Sequence, residues 1–171
     1  MGAVYNRYFS RFSTQTRGRK MKLAEALAER SDCQSRIEQI KSRLFRIARV
    51  QEGEQPAEDS AELLAEAERA FSRLLELISA INRTNSRTAF DASRSISDAI
   101  AERDVAAKRG AFLAAVAEAA STRQDRYSKS EVRFVATLSV GKLEEERDRL
   151  AKGYRELDTR LQELNWKTEL I

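Results

Sequence analysis

The acidic run Glu144-Glu145-Glu146-Arg147-Asp148 is the densest group of chemically capable side chains in this 171-residue chain. Carboxylates one helical turn apart can share a Mg²⁺ or Mn²⁺ ion and, through it, the oxygens of a triphosphate. On that reading Glu144, Glu145 and Asp148 are the ligands of a divalent-metal-dependent nucleotide phosphohydrolase. The plainer reading, a solvated first turn whose negative charge suits the positive end of a helix dipole, outweighs it. A second constellation sets polar groups among apolar ones: Asn82 and Asn85, then Arg103-Asp104, then Asp158, Gln162, Asn165 and Trp166. Asp158, Gln162 and Asn165 follow one another at steps of four and three, which puts them on one side of a helix. If buried, each needs a partner, because an unpaired buried polar group costs about 1–3 kcal/mol. A satisfied network that fixes register or subunit contacts is the simpler interpretation, and a ligand pocket is the sharper one. The chain has no histidine. The group that most readily moves protons near neutral pH is therefore missing, and Ser–His–Asp, Cys–His and Glu-x-x-His di-iron sites cannot be built. Cys33 is the single cysteine, which excludes an intrachain disulfide and a cysteine metal cluster. No catalytic residue and no cofactor is expected from these residues.

The elements that must hold these groups are long helices. The last, from Val140 to about Lys167, carries a heptad seam of Leu143, Arg147, Leu150, Tyr154, Leu157, Leu161 and Leu164, with Ser139 placed to cap it. The first runs from Met21 to about Val50: Leu23, Arg30, Ile37 and Leu44 recur every seven residues, as do Ala26, Cys33, Ile40 and Ile47. Cys33 thus reads as a small packing residue, and Arg30 and Arg147 read as register devices within their seams. Gly53 stops this helix, Pro56 restarts the chain, and Asp59 or Ser60 can cap the next. That second helix, Ser60 to Thr84, repeats at Leu64, Ala67, Phe71, Leu74, Ile78 and Ile81, with Leu63, Leu75 and Leu77 widening the stripe enough to touch two neighbours. A third runs from about Ser97 to Ser121, rich in alanine, with Gly110 inside it. The polar stretch Asn85–Ile96 reads as two extended pieces about a turn at Asp91-Ala92-Ser93. If they are strands, they pair with the β-prone run Val132–Leu138 into a small sheet at one end, after a charged loop at Thr122–Ser130. The fold class is all-α: four long helices in an antiparallel bundle or coiled-coil arrangement, with that sheet as an appendage.

Charge bears on partners. Of 31 basic and 27 acidic residues, five basic and no acidic ones fall in residues 1–20, so residues 21–171 carry 26 against 27 and stand at −1. A neutral, mixed-sign body lacks the field that selects phosphate backbones, and nucleic-acid or anionic-surface binding is left to the basic arm of residues 1–20. That arm reads as a basic extension, disordered or upstream of a start at Met21, ahead of a single helical domain over residues 21–171. No apolar run approaches the roughly 20 residues that span a bilayer. The cytoplasm is the default location.

Several runs resemble a family of small bacterial proteins of unestablished function, some of them labelled septicolysin: Met21-Lys22-Leu23-Ala24-Glu25-Ala26-Leu27, VQEGEQPAE at Val50–Glu58, INRTN at Ile81–Asn85, Arg103-Asp104-Val105, RYSKSEVRFV at Arg126–Val135 and LDTRLQELNW at Leu157–Trp166. They are scattered over residues 21–171, and residues 1–20 have no counterpart. The label implies a toxin-like, pore-forming activity. The physics opposes it, because residues 21–171 offer no basic face beside a large apolar one and the apolar stripes are needed for the bundle. The acidic run at Glu144–Asp148 also resembles one half of the carboxylate motif in all-helical nucleotide pyrophosphatases of the MazG type. The other half, a Glu-Glu-x-x-Glu run on the preceding helix, is absent.

The expectation is a non-enzymatic helical protein that binds copies of itself through its heptad faces, as a scaffold or interaction protein. The alternatives are the metal-dependent phosphohydrolase, the basic-arm binder and the toxin-like protein.

Overall fold

Four helices account for most of the chain in the computed structural model, which describes residues 20–121 and 135–171. They are α1 (Leu23–Ile47), α2 (Ser60–Arg87), α3 (Ile96–Ser121) and α4 (Val140–Lys167). The basic arm at 1–19, the loop at 122–130 and the first part of the last β-prone run lie outside the described residues.

Three of the helices, α2, α3 and α4, start where a side chain takes up free backbone N–H groups. Asp59 Oδ1 accepts from the N–H groups of Ala61 and Glu62, at 2.8 and 3.3 Å, and opens α2. The Ser139 hydroxyl does the same for Lys142 at the start of α4. At α3, Ser95 and Asp98 form a reciprocal box: Ser95 N–H donates to Asp98 Oδ2 at 2.8 Å and Asp98 N–H donates to Ser95 Oγ at 3.2 Å. α1 ends at Ile47, the last apolar position of its seam, before Gly53 is reached. Gly53 sits in the following loop at φ +90°, a conformation that an L side chain disfavours.

The expected three-piece sheet is not formed among the described residues. Asn85, Ser86 and Arg87 continue α2, and only then does a tight hairpin follow, with Phe90 N–H donating to Arg94 O at 2.8 Å and Ile96 N–H to Thr88 O at 2.9 Å. Its turn is the expected one: Asp91 Oδ1 accepts from Ser93 N–H and Arg94 N–H, both at 2.9 Å, which closes the chain on itself with no third strand. Val135–Leu138 lead into α4 as exposed, non-strand chain.

α1 packs along α2 and α3 along α4, giving two antiparallel hairpins. Between hairpins, α1 meets α4 and α2 meets α3 over short stretches, and the backbones of the diagonal pairs stay apart. The shared core gathers at one end, from Leu23 and Ala26 of α1, Leu77 and Ile81 of α2, Phe90 of the hairpin that follows, Ile96 and Ala99 of α3, and Leu161 of α4. Outside this base the buried apolar residues among those described are Ile40, Leu63 and Ala117. The first described residues and the C-terminal segment close the base. Leu23 N–H donates to Thr168 O at 2.9 Å and Leu170 N–H to Met21 O at 2.8 Å, an antiparallel pairing of the first and last described segments. Thr84, fully buried, accepts from Ile171 N–H at 2.9 Å while donating to Ala80 O at 2.8 Å, so its hydroxyl is satisfied in both roles.

The heptad seams of α1 and α4 are therefore taken up within the chain. Every seam residue of α1, and every one of α4 from Leu143 to Leu164, is buried or half-buried. Contact between copies would need a different surface. α2, whose stripe was read as wide enough to touch two neighbours, contributes the most buried residues of the four helices, yet that stripe is only half covered: Leu63, Leu77 and Ile81 are buried while Leu64, Phe71, Leu75 and Ile78 remain exposed.

Candidate functional site

Four of the eight polar residues singled out in the sequence come together across α3 and α4. The Arg103 guanidinium, near the base end of α3, donates to Asp158 Oδ1 of α4 at 3.1 Å and to Asp104 Oδ1 beside it at 2.9 and 3.1 Å. Gln162 Nε2, one turn along α4, donates to the other Asp158 oxygen at 2.7 Å. Both oxygens of Asp158 are thus engaged, one from each helix. The two neighbouring carboxylates hold the Arg103 guanidinium above its ordinary pKa, the Asp104 hydrogen bond being the larger influence. Arg103 and Asp158 are about three-quarters withdrawn from solvent, so the pair fixes the register of α3 on α4 without the heavy desolvation of a fully buried ion pair.

The other four do not join it. Asn82 is exposed on α2, and Trp166 is exposed near the end of α4. Asn165 is half-buried. Asn85 is half-buried with its Oδ1 shut away from solvent and from any hydrogen-bond partner in the structure. The arrangement is a strap between two helices.

The acidic run of α4 is similarly dispersed. Glu144 is half-buried and ion-paired with Arg147 one turn on, at 3.0 Å, while Glu145 and Asp148 face solvent. Arg147 therefore satisfies its charge within its own helix instead of bridging to another. Glu146 pairs with Arg149 at 2.7 Å and reaches Arg109 of α3 at 3.7 Å. Among the described residues no three carboxylate, cysteine or histidine groups stand close enough to hold a metal ion. Burial, with Glu29 adding to it, pushes the Cys33 thiol above its ordinary pKa, which suits a packing residue and disfavours a reactive thiolate.

A charge ladder along α1 and α2 was not singled out from the sequence. Glu29 accepts from Arg73 at 2.7 and 3.0 Å, Arg36 pairs with Glu66, and Arg43 pairs with Glu58, with Nε to Oε1 at 3.0 Å. On α1 these positions are seven residues apart, flanking the seam as the e and g charges of a coiled coil do. Sliding the hairpin by one heptad would set Glu29 opposite Glu66 in one direction or Arg36 opposite Arg73 in the other, so the ladder selects register even though each half-exposed pair contributes little stability. The heptad spacing was visible, but choosing these charges from among many required the partner helix. A further cluster locks the α2–α3 hairpin: Arg94 pairs with Asp91 and Glu102 and lies over the Phe90 ring at 5.1 Å, with Arg160 of α4 also over that ring at 5.8 Å. Hydrogen bonds from Arg94 and from the Ser93 backbone hold the Asp91 carboxyl well below the usual carboxylate range.

No helix is long and apolar enough to cross a membrane among the described residues. No curated protein matches the chain. A crystal structure of a functionally unknown conserved protein from Corynebacterium diphtheriae is similar to it at 42% identity, with 90% of this chain and 100% of that one covered and a TM-score of 0.84. The model of a family of unknown function, DUF6847, matches residues 30–170, and the chain belongs to that family.

Proposed function

We propose that this chain is a non-enzymatic, cytoplasmic helical protein that assembles with copies of itself and serves as a scaffold or interaction protein. The observation that carries the reading is the apolar surface left over once the chain has paired its own helices. Leu64, Phe71 and Leu75 on α2, with Val105 and Phe112 on α3, stay largely in water while every seam residue of α1 and α4 is at least half covered. Exposed apolar side chains at helical spacing mark contact surfaces more often than they mark catalysis. The polar groups, for their part, engage one another: Arg103 of α3 with Asp158 of α4, and, within α4, Gln162 with Asp158 and Arg147 with Glu144.

Light scattering and sedimentation of the full chain test this directly. An oligomer at tens of micromolar is expected, and a clean monomer there would overturn it. The competing phosphohydrolase reading, through Glu144, Glu145 and Asp148, predicts heat on titration with Mg²⁺ or Mn²⁺ and turnover of a nucleoside triphosphate. The self-association reading expects neither signal.

A further inference from the structure

We infer that the contact between copies is the exposed stripe of α2, paired antiparallel with the same stripe of a second copy about Phe71. This rests on the self-association reading and names its surface. Leu64, Phe71, Leu75 and Ile78 are 58, 51, 67 and 36% exposed. At 100° per residue they fall within about 60° of one another, on a face turned roughly 100° from the side that α2 gives to α1. A fully exposed Leu, Ile or Phe offers on the order of 150–200 Å², so the four present roughly 350–400 Å² of side-chain surface. That is about half of what each partner gives to a standard protein interface, before any flanking surface is added.

Three features select a second copy as the occupant. The stripe is close to self-complementary: Leu64 and Ile78 stand seven residues to either side of Phe71, so a two-fold axis there sets Phe71 on Phe71 and Leu64 on Ile78. Its flanks are small and nearly uncharged. Ser60, Ala61, Ser79 and Asn82 border it and Glu68 is the one charge within the face, in contrast to the alternating ions along α1. The direction also follows, because the C-terminal end of α2 is built into the base through Ile81, Thr84 and Phe90. A parallel pairing would drive the two bases into each other, whereas the antiparallel one places each base beyond the other's stripe. It also opposes the two helix dipoles and separates the two Glu68 carboxylates by about 9 Å along the axis, near the screening length at physiological salt.

The register is testable without touching Phe71. Positions whose numbers sum to 142 face one another, so Ser60 of one copy lies level with Asn82 of the other, while Ser60 lies about 33 Å along the axis from its own counterpart. In a full-length Cys33→Ala background, a short bismaleimide should link an equimolar mixture of S60C and N82C proteins into dimers and should link neither protein alone. Phe71→Glu should raise the dimer dissociation constant by about 100-fold or more, as loss of a central anchor does, and Phe45→Glu on α1, 72% exposed and outside the stripe, should leave it within a few-fold. If the native chain dimerises but Phe71→Glu also dimerises and the mixed pair does not crosslink, this surface is wrong and self-association still stands. Crosslinking of S60C with itself overturns the antiparallel register. A monomeric native chain overturns both this inference and the reading beneath it. Should Phe71→Glu fail to fold, the crosslinking pair still decides.

Discussion

Replacing Asp158 with alanine separates a structural strap from a ligand pocket. The substitution removes the acceptor for Arg103 at 3.1 Å and for Gln162 at 2.7 Å, and leaves Arg103 with Asp104. Two half-exposed hydrogen bonds to a charged acceptor contribute about 1 kcal/mol each. Against this, alanine in the interior of α4 gains about 0.5 kcal/mol in helix propensity over aspartate. The net expectation is a loss of about 1–1.5 kcal/mol, read as a lower midpoint in urea unfolding at constant m-value. A double-mutant cycle with Arg103→Ala should return a coupling of about 0.5–1 kcal/mol, because the propensity terms cancel. Polar groups kept for a ligand behave differently: they are held at a cost to the empty protein, and their removal stabilises it. A gain in stability on Asp158→Ala, or a coupling indistinguishable from zero, would refute the strap.

Two further outcomes follow from local geometry. Gly110 in α3 and Gly153 in α4 have ordinary backbone angles, and a methyl group at either would meet nothing within 4 Å. Gly110→Ala and Gly153→Ala should therefore each stabilise by about 0.8–1 kcal/mol, visible as a higher thermal midpoint, and a loss at either site would mean that the helix packs closer there than described. Asp91 and Asp98 have folded pKa values below their unfolded ones, through hydrogen bonds from Arg94 and from Ser95 respectively. Their contribution is thus complete above the unfolded value near 4 and is lost as the pH falls towards the folded one. Unfolding midpoints measured from pH 6 down to 2 should fall in that window, and Asp91→Asn should flatten the fall.

How much of this was legible depended on whether a residue's role is set along its own helix or by what lies across from it. The bounds of α4 could be read directly, since Ser139 caps it and the seam from Leu143 to Leu164 runs unbroken. The turn at Asp91–Ser93 was likewise written in local chemistry. The Asn85–Arg87 stretch was misread as extended because its polarity resembles a break, yet Thr84, buried and doubly hydrogen-bonded beside the C-terminal segment, carries the helix another turn. That Asp158 and Gln162 share one side of α4 could be read from their spacing, whereas the reach of Arg103 from α3 to Asp158 depends on the facing helix. Asn82 and Trp166 were grouped with these residues by type alone, and the fold leaves both in solvent. The excess width of the α2 stripe could be counted in advance. Which half of it α1 would cover could not, because that is fixed by ions on the facing helix.

The pairing of Met21 with Leu170 and of Leu23 with Thr168 has a mechanical consequence. The two segments run antiparallel, so residues 20 and 171 leave from the same side of the pairing. Tension applied between them would open its two backbone bonds one after the other, as a zip does, instead of shearing both together. The base would then be the first part of the molecule to yield, while the outer lengths of both hairpins stayed out of the line of force.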